Sequence, residues 1–359
     1  MKIVETVVIR DEADIIDAHV AFNLNAGVDF VVAIDHESQD GTTEILETYA
    51  REGYLRRIPE RGAMREEEWR TRLARLAAAE HGADWVINAD ADQFWWPRGG
   101  DLRDVLAAIP PRFGAVRAFD RVFVPRPDDG AHFAERMILR MSAPAPINAP
   151  VSTYRPLARV VHRGDREVRV ARGGHSISGA RLAVLPNWHP IEVLHFPWRS
   201  SAQMTRKARH LVRAFEGGPR HPTGYHSEAY RAVEEKRPEA HYSALALDDD
   251  SLQRGFAENV IVVDTRVRDV LRLLAAKDGL REANSEHALP TVSAGLRIPW
   301  PTAEETAAYA AEAAVLREAD IVRAFRLLDR LESRLGPLER KASSGRRRVV
   351  QRAGSGSRA

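Results

Sequence analysis

The sequence predicts an α/β protein on a doubly wound, mainly parallel sheet. Three observations predict it. Apolar, β-branched runs alternate with helical-period segments from residue 2 to residue 89. Several of the runs are short and β-rich and read as buried strands, and strands alternating with helices imply a mainly parallel sheet. Polar loops rich in aspartate follow them, at Asp11, Asp35 and Asp90, and in such sheets the loops after parallel strands share one edge.

The elements follow in order. Residues 2–9 read as a buried strand. Asp11 to Ala26 has helical spacing, with Ile15, Ile16, His19, Val20, Phe22 and Leu24 on the inner face, and Gly27 stops it. Val28 to Ile34 is a second strand, Asp35 to Thr42 a polar loop and Thr42 to Tyr54 a second helix. Leu55 to Pro59 is a short strand, Met64 to His81 a helix stopped by Gly82, and Asp84 to Ala89 the next strand. After Pro97 the pattern turns mixed or antiparallel. A short helix from Leu102 to Ile109 precedes β segments at 115–124, 136–141, 166–171, 181–185 and 191–196. From Ser201 helices dominate, at 202–216, 228–237, 265–277 and 302–335. The expected division is a catalytic domain over 1–200, a mainly helical extension over 201–338 and a disordered basic tail over 339–359. There is no tandem repeat.

Composition narrows the chemistry. The chain has 359 residues and no cysteine, which excludes disulfides, zinc–thiolate sites, iron–sulfur clusters and cysteine nucleophiles. Neither a secretory h-region nor an apolar run of about 20 residues is present, so the expectation is a cytoplasmic protein. The net charge of +2 is misleading, because residues 340–359 carry seven basic and no acidic side chains. The body is net acidic and is not a bulk nucleic-acid surface. The tail offers peripheral contact to an anionic membrane, or is simply solvated.

The most informative segment is Trp85-Val86-Ile87-Asn88-Ala89-Asp90-Ala91-Asp92-Gln93-Phe94. In extended chain, side chains at i and i+2 point the same way, so Asp90 and Asp92 can aim two carboxylates at one point. Hard divalent cations, Mg²⁺ or Mn²⁺, prefer such oxygen ligands and bridge to phosphates. His195, ending an apolar strand, is a candidate third ligand. The bland account of the pair is solvation or capping. Trp95 and Trp96 beside it suit stacking on a sugar or base, or packing in the core. Asp35 and Asp40 suit hydrogen bonding to a base or ribose, against a plain βα turn with Asp40 as cap. Asp11 and Glu12 lie on the same rim. Arg199, Arg206 and Lys207 are placed to neutralise a diphosphate, against a solvated basic helix face. Asp120 after a strand and His175 on a glycine turn are candidates for a general base.

Together these segments resemble a known family. The order Val8-Ile9-Arg10-Asp11-Glu12-Ala13-Asp14-Ile15, Ala26-Gly27-Val28-Asp29, Asp35 to Thr42 and Asp90-Ala91-Asp92-Gln93-Phe94 is similar to family 2 glycosyltransferases of the GT-A fold. The subgroup it suggests is a bacterial family 2-like branch. Gly174-His175 and His195-Phe196-Pro197-Trp198-Arg199-Ser200 through Lys207 resemble that branch's later motifs. The resemblance covers roughly residues 3–210. It implies a GT-A mixed sheet with a helical C-terminal extension and a transferase dependent on Mn²⁺ or Mg²⁺. The donor would be a nucleotide-diphosphate sugar and the acceptor a hydroxyl of a glycan, a lipid-linked or a small molecule, with inversion favoured. Asp11, Glu12, Asp35 and Asp40 would then lie by the nucleotide, and Asp90 and Asp92 would form the DxD pair. Two positions depart from the pattern. Asp11 stands where asparagine is common, and Gln93 where glutamate often follows the DxD, which removes acid–base work there. The alternatives are a sugar nucleotidyltransferase, which predicts a glycine-rich loop after the first strand, and a non-catalytic interaction module with a transferase-like core.

Overall fold

A computed structural model describes residues 1–141, 158–186, 189–215, 225–258 and 260–277. The helix expected over 302–335 and the basic tail lie outside the described residues. The elements are β1 (Ile3–Ile9), α1 (Ile16–Asn25), β2 (Phe30–His36), α2 (Thr42–Arg51), β3 (Leu55–Glu60), α3 (Glu66–Ala79), β4 (Trp85–Ala89), β5 (Gln93–Pro97), α4 (Leu102–Ala107) and β6 (Ala115–Val122). They continue with α5 (Phe133–Arg136), β7 (Leu139–Met141), β8 (Ala158–Arg163), β9 (Arg169–Val170), β10 (Ile177–Ser178), β11 (Ile191–His195), α6 (Ser201–Phe215), α7 (Tyr225–Glu234), α8 (Pro238–Leu245), α9 (Asp249–Ala257), β12 (Ile261–Val263) and α10 (Arg266–Lys277).

The fold class is α/β with a mixed central sheet. Eight strands run in the order β3-β2-β1-β4-β8-β6-β11-β5. The first four are mutually parallel, β8 is antiparallel to both its neighbours, β11 is parallel to β6 and β5 is antiparallel to β11. The carboxyl ends of β1, β2, β4, β6 and β11 therefore share one edge with the amino ends of β5 and β8.

Strand periodicity explains the two layers. In β1, Ile3, Val7 and Ile9 face one side with α1, α2, α4 and α10, while Val4 faces the other, against Trp69, Leu73 and Ala77 of α3. Burial of both faces is why these strands read as continuous apolar runs. Trp95 and Trp96 settle into β5 as core residues, 0% and 2% exposed, so they pack rather than stack on a ligand. β8 is absent from the sequence-level reading. Two valines flanked by Arg159 and by His162-Arg163 make too short an apolar run to announce a central strand.

The chain after residue 200 packs in two ways. Helices α6, α7 and α8 gather around Trp198, Met204, Ala208, Ala229 and Tyr242. β12 instead pairs with β7, and Val267, Val270, Leu271 and Leu274 of α10 join the principal core. No helix among the described residues is long and apolar enough to cross a membrane.

Candidate active site

The acidic turn between β4 and β5 closes on itself. Gln93 N donates to the Asp90 carbonyl at 3.1 Å, Asp90 N donates to Gln93 Oε1 at 3.1 Å and Gln93 Nε2 donates to Asp90 Oδ2 at 2.9 Å. The last two bonds need a side chain that both accepts and donates, which an amide does and an ionised glutamate does not. That is a physical reason for Gln93 at this position.

The two aspartates go to different cations. Asp90 is paired with Arg70 of α3 and with Arg159 Nη1 at 3.1 Å. Burial pushes its pKa up, but the two guanidinium groups outweigh it and hold the carboxyl down at about 2. Asp92, 1% exposed, accepts from Lys207 Nζ at 2.5 Å. Its other oxygen lies 3.2 Å from His195 Nε2, off the line of a hydrogen bond. His195 Nδ1 is 3.5 Å from Asp120 Oδ2. Burial disfavours charge on His195, yet Asp92 and Asp120 on either side raise its pKa to about 9, so the ring is an imidazolium. Asp120 in turn is gripped by Arg159 through Nε and Nη2, at 3.1–3.3 Å.

The loop after β1 belongs to the same system. Arg199, 1% exposed, holds Glu12 and donates to Asp14 from Nε at 2.7 Å and from Nη2 at 2.9 Å. Lys207 Nζ is 3.9 Å from Glu12, whose pKa burial pushes up despite Arg199 and Lys207. His210 Nε2 sits 2.7 Å from Asp11 Oδ2, and Asp11 adopts a left-handed φ of 53°. A chain of alternating charge thus runs along the edge: Glu66, Arg70, Asp90, Arg159, Asp120, His195, Asp92, Lys207, Glu12, Arg199, Asp14.

Asp35 and Asp40 brace loops. Asp35, 2% exposed, accepts from Ser38 N at 3.2 Å, Thr43 Oγ1 at 2.6 Å and Arg57 Nη1 at 3.2 Å. Asp40 accepts from Thr42 N, Thr42 Oγ1 and Ala13 N, at 2.6–3.2 Å. Asp11 N and Glu12 N likewise donate to Ser38 Oγ and Thr42 Oγ1. Three successive amides of the first loop are therefore already taken.

His175 lies near the other end of the charge chain, within the fields of Arg159, Asp120 and Asp90. Its Nδ1 is 3.0 Å from the Ala158 carbonyl, which can only accept. The proton is fixed on Nδ1, and Nε2 keeps its lone pair. Burial first, and Arg159 second, lower its pKa, so the ring is neutral. Gly174 beside it has a φ of +66°, and a Cβ there would meet the Asn88 carbonyl at 2.9 Å.

A divalent ion fits only part of the predicted ligand set. Among the described residues no group of three or more histidine or acidic side chains is arranged to hold a metal. Asp92 and His195 adjoin, but Asp90 does not join them, because Arg70, Arg159 and Gln93 claim its oxygens. The pair that remains does fit. Asp92 Oδ1 is buried without a hydrogen-bond donor. His195 Nε2 lies 3.2 Å from it and would serve as a second ligand once the imidazolium gives up its proton.

Sequence reasoning missed Glu66, Arg70, Arg159 and His210. Arg70 had a signal, since it interrupts the buried stripe Trp69, Leu73, Ala74, Ala77 of α3. A guanidinium on such a face needs a carboxylate opposite. Arg159 had none, because its strand was not legible.

No protein-family model and no curated protein sequence matches the chain. Among solved structures, S. aureus TarS 1–349 in complex with UDP-GlcNAc is 12% identical, over 68% of this chain and 73% of that one, with a TM-score of 0.31. A mycobacterial protein is 14% identical over 61% and 76%, with a TM-score of 0.28. A 4-diphosphocytidyl-2C-methyl-D-erythritol synthase is 14% identical over 45% and 75%, with a TM-score of 0.26. Likeness this distant concerns the α/β layout alone.

Proposed function

We propose that this chain is a GT-A-type glycosyltransferase that moves a sugar from a nucleoside-diphosphate donor to an acceptor hydroxyl. One observation carries the reading: Lys207 at 2.5 Å and His195 at 3.2 Å both lie against Asp92 at the carboxyl edge of the sheet. Asp92 lies in the acidic turn whose order and spacing resemble family 2 transferases. That is where a diphosphate leaving group would need positive charge.

Lys207 is 26% exposed and is the cation of the Asp92 cluster that can turn to a ligand. It would hold the anionic oxygens of the diphosphate as the bond to the anomeric carbon breaks and its electrons pass to the leaving group. Arg199 is enclosed by Glu12 and Asp14, so it fixes the first loop rather than touching the donor. His175 is the preferred base, because its Nε2 lone pair is free of a proton and its ring is half-buried. It would take the acceptor's proton as that oxygen attacks. Asp120 is the weaker choice, since Arg159 already occupies its carboxylate. A divalent ion held by Asp92 and His195 would supply Lewis-acid stabilisation of the same leaving group.

The nucleotidyltransferase alternative wants free backbone amides after the first strand, to cradle phosphates. Here the amides of Asp11, Glu12 and Ala13 are spent on Ser38, Thr42 and Asp40. The test is a thermal-shift and turnover screen of UDP, GDP and dTDP sugars with and without Mn²⁺. Stabilisation by one nucleotide class, with turnover lost in Asp92→Ala, supports transfer. No nucleotide affinity, together with binding of a polymer or vesicle, would move the reading to an interaction module.

A further inference from the structure

Beneath the acidic turn lies a buried pair that the proposed chemistry does not use. Glu5 sits in the middle of β1 and His19 on the inner face of α1, and both are 0% exposed. His19 Nδ1 is 2.9 Å from the Gln93 carbonyl, and His19 Nε2 is 2.7 Å from Glu5 Oε1. A carbonyl only accepts, so Nδ1 carries a hydrogen. Were Nε2 and Glu5 both unprotonated, a lone pair would face a carboxylate at hydrogen-bond distance. The other Glu5 oxygen is already buried without a hydrogen-bond partner. A second proton must therefore lie between the two side chains, on the imidazole or on the carboxyl.

The carbonyl that His19 holds is strategic. Gln93 follows Asp92 directly, closes the turn onto Asp90, and stands opposite His195 in the antiparallel β5–β11 register. One helical turn on, Asn23 Oδ1 accepts from Trp95 N at 3.2 Å. Helix α1 thus holds the start of β5 at two backbone points, and one of them requires a hydrogen on Nδ1 of His19.

We infer that Glu5 and His19 trap one proton in the core, and that His19 thereby acts as a positioning residue for Asp92 and His195. The positioning half rests on the transferase reading; the trapped proton does not. The groups facing His19 are Glu5 from β1, the Gln93 carbonyl and the Asp92 charge from the turn, and Asn23 from its own helix. Burial opposes the imidazolium, and Glu5, the Gln93 carbonyl and Asp92 together outweigh it to raise its pKa. A raised folded pKa gives stability that is complete below the unfolded value of 6.5 and is lost as pH rises through the folded value.

The experiment uses the full chain, labelled with ¹⁵N-histidine. Long-range ¹H–¹⁵N spectra of His19, assigned by its loss in His19→Phe, should show Nδ1 protonated. They should also show a second proton, shared with Glu5, that persists above pH 7. Glu5→Gln supplies an amide N–H to Nε2, so it should keep the Nδ1 proton. It should also flatten the alkaline fall in melting temperature expected of the wild type. If turnover exists, His19→Phe should lower kcat by about 10–10²-fold, as for a displaced catalytic group. A His19 ring protonated on Nε2 alone, or coincident melting profiles for wild type and Glu5→Gln, would overturn the inference. Spectra and melting decide this whether or not any nucleotide sugar is turned over; where His19→Phe does not fold, the signals that move in Glu5→Gln supply the assignment.

Discussion

Removing Glu192 should unfasten the C-terminal segment from the sheet. Glu192 lies in β11 and is 0% exposed. It accepts from Arg121 Nε at 2.8 Å, Arg98 Nε at 2.9 Å and Arg266 Nη1 at 2.7 Å. Arg266 opens α10, lies over the Trp96 ring at 5.2 Å, and donates to Asp264, which also receives Arg140 Nε at 2.6 Å. Glu192→Gln keeps the shape and one acceptor oxygen but leaves three guanidinium groups around a neutral side chain. Breaking a buried pair costs about 3–5 kcal/mol. Arg98 and Arg266 are 14% and 22% exposed and can recover some hydration, which places the loss near the lower end. At roughly 2–4 °C per kcal/mol for a domain of this order of size, a loss of about 3 kcal/mol is a drop of about 6–12 °C in Tm.

The assay is urea and thermal unfolding followed by tryptophan fluorescence, with Arg266→Met and the double mutant completing a cycle. The cycle should show coupling, since both changes act on one contact. There is also a pH signature. The arginines hold Glu192 below the ordinary glutamate value of 4.5, so its stabilisation is present above that value and lost as pH falls through the folded pKa. The gap between wild type and Glu192→Gln should close in strong acid. A variant melting within about 2 °C of wild type at neutral pH would show that the cluster adds no net stability and that apolar packing alone holds α10.

Further outcomes follow from the rim. Asp92→Asn should lower kcat/KM for a nucleotide sugar by about 10²–10³-fold, read in a diphosphate-release assay. An unchanged rate would remove Asp92 from the chemistry. His175→Ala should lower kcat by about 10²–10⁴-fold. In the wild type the rate should fall on the acid side, at a pH below the ordinary histidine value, as Nε2 gains a proton. Survival of that acid limb in His175→Ala would assign the base elsewhere. Asp35→Ala removes a buried acceptor of three bonds and should cost about 2–3 kcal/mol, seen as a lower Tm. A normal Tm with weakened nucleotide binding would instead make Asp35 a ligand contact. Gly174→Ala should cost about 1–3 kcal/mol from the left-handed backbone alone, with added displacement of the strand leading to Asp90.

The parallel half of the sheet was legible because it is local. Each strand, helix and glycine stop from Ile3 to Ala89 is declared by its own run of residues, and the shared edge then follows from topology. The second half was less so. β5 hid in an aromatic run readable as a ligand platform, and β8 in two valines between basic residues. The carboxylates of the site were legible for the same local reason, as aspartates just past apolar strands. Their partners were not. Lys207 reaches Asp92 across 115 positions and Arg199 reaches Asp14 across 185, and nothing in either neighbourhood marks the pairing.

That asymmetry bears on how the rim would take a ligand. A reading from carboxylates alone gives an open, negative cup that a metal fills first. The assembled edge is nearly neutral, each acid answered by an internal cation, so neither a bare metal nor a bare diphosphate gains much by arriving first. A diphosphate needs Lys207 to leave Asp92, and that exposes a buried carboxylate whose other oxygen already lacks a donor. A divalent ion on the other oxygen of Asp92 needs His195 to surrender its proton, and its charge loosens the hold of Asp92 on Lys207. Each ligand thus removes part of the other's cost, and binding of the two is linked. On this account the informative measurement is the stabilisation by nucleotide and Mn²⁺ together, set against the sum of the two separately. Simple additivity would mean that the charge chain along the rim is not what governs access to it.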